Sequence, residues 1–220
     1  MHILSAFLFA FWPTISWSCD LALVLAVDVS GSVDQQEYRV QMDGLAAALR
    51  DGTVVDALID QRAQVTLIQW SGSGRQRQTI EWRQIDDAAG AAALATAISD
   101  DPRVWRNFST AVGEAIGLSL DVLAQVPNCR RKVIDVSGDG VSNEGPAPQE
   151  YRDALGAADV TVNALAIETG DDDLTAWFFE NLIQGEGAFV ITANGFEDYP
   201  DQIRRKLQRE TTRQLSLALP

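Results

Sequence analysis

Residues 19–34 read CDLALVLAVDVSGSVD, and this stretch decides the fold. Residues 21–29 are apolar except for Asp28, with no alternation of polar and apolar positions. A strand apolar on both faces is one buried in a parallel sheet. The run ends in Asp28-Val29-Ser30-Gly31-Ser32, an acid followed by small residues. Residues 34–50 then take helical spacing, with Tyr38, Met42, Leu45 and Leu49 along one side. Asp34 with Glu37 three residues on has the pattern of a capping box at the helix start.

The alternation continues outward from this unit. Strands are expected over residues 63–70, 131–136, 160–167 and 188–191, with a short one over 78–82 at the sheet edge. Helices are expected over 85–98, 110–126, 148–158, 174–183 and 196–213. The last carries acids early (Glu197, Asp198, Asp201) and bases mostly late (Arg204, Arg205, Lys206, Arg209, Arg213), which complements the helix dipole. Alternating strands and helices give an α/β fold: a doubly wound, mostly parallel sheet with helices on both faces.

The chain has 220 residues and a 46% hydrophobic fraction, enough for one domain with a sizeable core. Its net charge of −14 excludes the basic footprint that nucleic acid or an anionic membrane surface requires. Such a charge suits a cation, and an acidic surface also serves solubility. Residues 1–18 contain no Lys, Arg, Asp or Glu, and Pro13 interrupts the apolar run over 3–17. That run is short for a membrane span. With Ser16 and Ser18 at small positions, residues 1–18 read as a signal peptide cut near Ser18. The domain then occupies 19–220, in a periplasmic or secreted protein with no stable membrane insertion after cleavage. The leader's start offers only His2 and the terminal amine as positive groups, so an uncleaved N-terminal anchor is the rival reading. Lipidation of Cys19 ranks lower, because Ser16-Trp17-Ser18 lacks the Leu and the small residue of a lipobox.

Cys19 and Cys129 are the only cysteines, and export favours their pairing. Cys19 lies nine residues before Asp28 and Cys129 ten before Asp139. If the two strands are parallel neighbours with their acids level, the cysteines are level at the other end, within bridging reach. Two buried free thiols are the alternative.

Open α/β sheets bind ligands at the carboxyl ends of strands, where strand order reverses. Two strands here end in an acid and small residues: Asp28-x-Ser30-x-Ser32, and Asp139 within Ser137-Gly138-Asp139-Gly140. Carboxylates and hydroxyls are hard oxygen donors, suited to magnesium, manganese or calcium and poor for zinc or copper. Two carboxylates neutralise a divalent ion. Helix caps and satisfied turns are the bland reading of the same residues.

Asp28-x-Ser30-x-Ser32, a later Thr110 before a helix, and Asp139-Gly140 after a strand resemble the metal-ion-dependent adhesion site of von Willebrand factor A domains. The phrases CDLALVLAVDVSGSVD, RRKVIDVSGDG and GEGAFV carry a closer similarity to one group of uncharacterised secreted bacterial proteins with this domain. The resemblance implies that Ser30, Ser32 and Thr110 coordinate the metal, and that Asp28 and Asp139 often act through water. Magnesium is the expected ion, with manganese or calcium as alternatives. It also implies one antiparallel edge strand, for which 78–82 is the candidate. Ser109, beside Thr110, could serve in its place. Gly138 departs from the usual Thr-Asp-Gly of the third loop, and Asn143 and Glu144 are candidates for supporting the ligands.

The function expected from this site is a binding module that recruits a protein partner through an acidic side chain. The alternative is a metal-dependent hydrolase acting on a phosphoester. The sole histidine, His2, lies in the expected leader, which removes Ser-His-Asp and Cys-His catalysis from the mature chain. No general base stands out beyond the ligands. Gly138-x-Gly140 is not a dinucleotide fingerprint, and there is no Walker motif. Trp105 and Phe108, just before Thr110, either rim the metal face or pack beneath it. The sequence does not fix the oligomeric state.

Overall fold

Parallel neighbours flank strand β1 (Cys19–Asp28) on both sides. The computed structural model describes residues 19–170 and 173–212; the expected leader and Arg213 lie outside them. The other strands are β2 (Gln64–Trp70), β3 (Gln76–Gln84), β4 (Cys129–Gly138), β5 (Val160–Ile167) and β6 (Val190–Ala193). The sheet order is β3-β2-β1-β4-β5-β6. Every pair is parallel except β2 with β3, which is antiparallel.

The alternation of β1 divides the core. Leu21, Leu23, Leu25 and Val27 face one layer; Ala22, Val24 and Ala26 face the other. The larger side chains meet α1 (Gln35–Ala48), α2 (Gly52–Asp60), α3 (Ala88–Asp100) and α7 (Tyr199–Thr211). The smaller ones meet α4 (Val112–Leu123), α5 (Arg152–Ala157) and α6 (Leu174–Asn181). A short 3-10 turn, Pro148–Tyr151, leads into α5. The fold is therefore the expected doubly wound sheet with helices on both faces. No helix among the described residues is long and apolar enough to cross a membrane.

Register puts the chemistry at the sheet's centre. Val27 pairs with Ser137 across β1 and β4, so Asp28 stands level with Gly138 and next to Asp139. Strand order reverses between these two strands, since the chain after β1 builds one side and the chain from β4 builds the other. At the far end Cys19 pairs with Cys129, and the two form a disulfide with Cα atoms 4.6 Å apart.

Several elements begin or end two or three residues from the sequence expectation, β6 and β4 among them, and two differences bear on how the sequence reads. Residues 51–62 had no expected element, yet α2 forms there, with the Asp51 side chain accepting from the amides of Thr53 and Val54. Strand β3 is longer than 78–82, because it pairs with β2 from Gln76 to Gln84 although only Ile80 of it is buried.

Candidate metal centre

The floor of the site is the turn after β1. Asp28 Oδ1 accepts the Ser30 amide at 2.7 Å, folding the chain back on the carboxylate. The Val29 amide still donates to the Trp70 carbonyl at 2.9 Å, and Gln41 Nε2 holds the Asp28 carbonyl at 3.2 Å. Asp28 and Ser30 are fully buried, while Ser32 is exposed. The site is thus a crevice with a dry floor and a wet lip.

Gly31 brings the second loop close. Its amide donates to the Phe108 carbonyl at 2.7 Å, and a β-carbon there would meet that oxygen at 3.1 Å and Asn107 Cα at 3.3 Å. Asn107 takes the left-handed conformation (φ 60°) that turns the chain toward Thr110. Arg103 Nη2 donates to the carbonyls of Val29 and Ser30, at 3.0 and 2.8 Å, and so clamps the first turn from the second loop.

The third loop closes the crevice. Ser32 Oγ donates to Asp139 Oδ1 at 2.7 Å and lies 3.2 Å from Ser30 Oγ. Thr110 is buried and lies against the same turn: a β-carbon on Gly140 would be 3.7 Å from Thr110 Oγ1. Its hydroxyl makes no hydrogen bond to another described residue. Asn143 fixes Thr110 reciprocally, its side-chain oxygen accepting the Thr110 amide and its own amide donating to the Thr110 carbonyl, both at 2.9 Å. Ser109 is exposed and lies against Gly72 instead. Glu144 accepts the Ser73 amide at 2.9 Å and ties the third loop to the end of β2.

All five residues picked out in the sequence, Asp28, Ser30, Ser32, Thr110 and Asp139, therefore lie around one crevice. The sequence reading passed over Arg103 and Gln41, because each acts across loops through a contact that no spacing encodes. Asn143 carried a signal in its closeness to Asp139. Trp105 is half-buried against the core, with Arg77 5.6 Å over its ring, so it takes the packing role. Phe108 is 38% exposed, and Arg75 lies 3.7 Å over its ring.

Two carboxyls in this space repel each other. Burial pushes Asp28 up to about 8 and the charge of Asp139 adds to it, while the Ser30 amide and hydroxyl pull it back. Asp139 is also raised, by burial first; the Ser32 hydroxyl opposes this and the charge of Glu37 adds to it. Asp28 Oδ2 is buried with no hydrogen bond among the described residues. A buried carboxylate oxygen without a hydrogen-bonding partner, in a crevice that a second acid also lines, fits a hard divalent cation. No group of three or more His, Cys, Asp or Glu that could hold a metal occurs among the described residues.

Comparison with known proteins agrees with this fold. Proximal thread matrix protein 1 from the mussel byssus, in a form with a zinc-occupied MIDAS motif, superposes with a TM-score of 0.66 at 16% identity, covering 90% of this chain and 47% of that one. A von Willebrand factor type A structure from Catenulispora acidiphila gives 0.62 at 18% identity, covering 88% and 42%. The von Willebrand factor domain of the type V pili tip protein Mfa5 from Porphyromonas gingivalis gives 0.60 at 10% identity, covering 89% and 97%. This chain thus spans less than half of the first two and nearly all of the third. No curated protein matches the sequence. At these identities the likeness establishes the fold, a von Willebrand factor A-type domain. A family model described as "Protein of unknown function (DUF1194)" matches residues 18–215. The chain belongs to that family, and its members' shared region is here a von Willebrand factor A-type domain with two acids and three hydroxyls at the central switch point of its sheet.

Proposed function

We propose that this chain is an exported binding module that holds a divalent cation between Asp28, Ser30, Ser32, Thr110 and Asp139 and engages an acidic side chain of a protein partner. The observation that carries this reading is the meeting of three distant loops at one crevice, where Ser32 links Ser30 to Asp139 and the buried Asp28 Oδ2 has no hydrogen bond among the described residues. Ser30, Ser32 and Thr110 would hold the ion by their hydroxyls, with Asp28 and Asp139 balancing its charge. When bound, the ion supplies a Lewis-acidic position for a carboxylate oxygen from outside. The residues of the chain do the rest. Gly31 and Arg103 keep the first two loops in contact, Asn143 orients Thr110, and the buried floor excludes water from one side of the site.

The mussel protein's zinc-occupied motif and the pilus origin of Mfa5 support a metal-dependent adhesion role, and magnesium is the ion proposed for this donor set. Export is proposed from the leader-like residues 1–18 and from the disulfide. The test is capture from the native envelope by wild type and by Asp139→Ala, each with magnesium or with chelator. Partner recovered only by wild type with magnesium supports the reading. Equal recovery in all four arms overturns it.

A further inference from the structure

Away from the metal centre, three ionisable side chains share a dry space between α7 and the middle of the sheet. The side chains of Lys206, Asp135 and Glu210 are 0%, 2% and 1% exposed. The Lys206 ammonium touches Asp135 Oδ1 and lies 2.5 Å from Glu210 Oε1. Asn163 on β5 donates to the same Glu210 oxygen at 3.0 Å. The Phe189 ring is 5.7 Å from Lys206 Nζ, and the buried Tyr199 faces Asp135. Although Lys206 touches it, neither oxygen of Asp135 has a hydrogen bond of ordinary geometry among the described residues. Burial pushes Glu210 up to about 8, with the charge of Asp135 adding to the shift, so Glu210 carries a proton at neutral pH.

As an ion pair this arrangement is expensive. Each buried charge costs several kcal/mol in desolvation, and apolar side chains of similar size often fill such a space with greater stability. The metal centre makes no use of these residues. Both charges vanish if the pair becomes one neutral amide.

We propose that Lys206 and Asp135 condense into an intramolecular isopeptide bond, a covalent strap from α7 to β4, with Glu210 carrying the proton. The ammonium first passes one proton to the Asp135 carboxylate, leaving an amine against an acid. The Lys206 Nζ lone pair then attacks Asp135 Cγ. The C–N bond forms and a C–O bond breaks. A proton leaves nitrogen through Glu210 to the departing hydroxyl, and one water is released. Ammonium and carboxylate have become amide and water, with no oxidant or reductant, and Glu210 ends as it began. Fixed proximity stands in for an activated ester, since the reacting atoms are held together throughout the life of the fold. Glu210 also lines a cavity of about 600 Å³ beside Arg131, Asn163 and Arg209, which gives the water a way out. With the disulfide, β4 is then stapled twice, at its start to β1 and at its middle to α7.

The test is the mass of the purified full chain, denatured and with its disulfide reduced, measured against the mass calculated from its sequenced N-terminus. The expected mass is lighter by one water, and a protease digest yields a branched peptide joining the Asp135 and Lys206 segments. Lys206→Arg and Glu210→Gln restore the full mass. Should these variants fail to fold, the wild-type digest decides alone. Full mass in the wild type, with the two segments recovered as separate peptides, overturns the proposal and leaves an ordinary buried ion pair.

Discussion

Ser32 donates its hydroxyl proton to Asp139 across 107 residues of sequence, at 2.7 Å. The bond joins the turn after β1 to the turn after β4 and sets the width of the crevice. Asp28→Ala or Asp139→Ala removes one of the two charges that balance a divalent ion. Both are expected to abolish magnesium uptake in calorimetry while circular dichroism stays that of the wild type. Ser32→Ala keeps both acids but removes one proposed hydroxyl donor, and it is expected to weaken uptake by about tenfold or more without abolishing it. Undiminished uptake by either acid variant would remove the metal centre from these residues.

The acid at the floor also makes stability depend on pH. Asp28 is raised from 3.8 to about 8, chiefly by burial, so the folded protein without metal binds this proton more tightly than the unfolded chain. Its contribution is whole below pH 3.8 and is lost as pH rises to about 8. In chelator, the melting temperature is expected to fall as pH rises through this window. Asp28→Asn should flatten the slope in part, and magnesium should flatten it in the wild type by displacing the proton. An unchanged slope in Asp28→Asn would show that its carboxyl titrates normally.

The parts of the fold that could be read in the sequence are those whose residues carry their own explanation. β1 is apolar on both faces and ends in an acid, so a buried parallel strand with a functional end follows from the run alone. The capping box of α1 forms between Asp34 and Glu37 as their spacing implies. α2 was invisible because Gly52, Thr53, Val54 and Val55 are weak helix formers and only Val54 and Leu58 are fully buried, with Val55 and Ile59 partly so; packing overrides propensity there. The ends of β3 were invisible because edge strands bury little and lose the period-two pattern. At the site, ligand-type residues are legible by type and spacing. Arg103 is not, since it serves by reaching the carbonyls of another loop.

That reach yields a prediction. Arg103→Met keeps much of the stem but leaves the Val29 and Ser30 carbonyls without their charged donor. A cost of about 1.5–3 kcal/mol is expected in urea unfolding. Magnesium affinity should fall as well, because the first turn loosens. A stability loss with unchanged affinity would make Arg103 a structural residue only.

The disulfide joins cysteines 110 residues apart in sequence. In the chain-entropy model, opening a loop of that length removes about 5 kcal/mol. Replacing Cys19 and Cys129 together by Ala should lower the denaturant midpoint, and reductant should lower the wild type toward the same value. A midpoint insensitive to reductant would place the stability elsewhere.

Gly138 stands where the resemblance noted in the sequence leads one to expect threonine, and its surroundings explain the departure. A β-carbon there would lie 3.0 Å from Asp28 Oδ2 and 3.3 Å from Trp70 Cζ2. Trp70 is fully buried, so its ring has no room to retreat and the carboxylate must give way. Gly138→Ala is expected to push the Asp28 carboxylate off its position and to weaken magnesium binding about tenfold, or ~1.4 kcal/mol. Trp70→Phe removes the ring edge that blocks the β-carbon. In a double-mutant cycle, the pair should therefore bind magnesium better than the sum of the single effects allows. Strict additivity would mean that the glycine answers to the backbone of its own turn, and that the tryptophan has no part in shaping the acid beneath it.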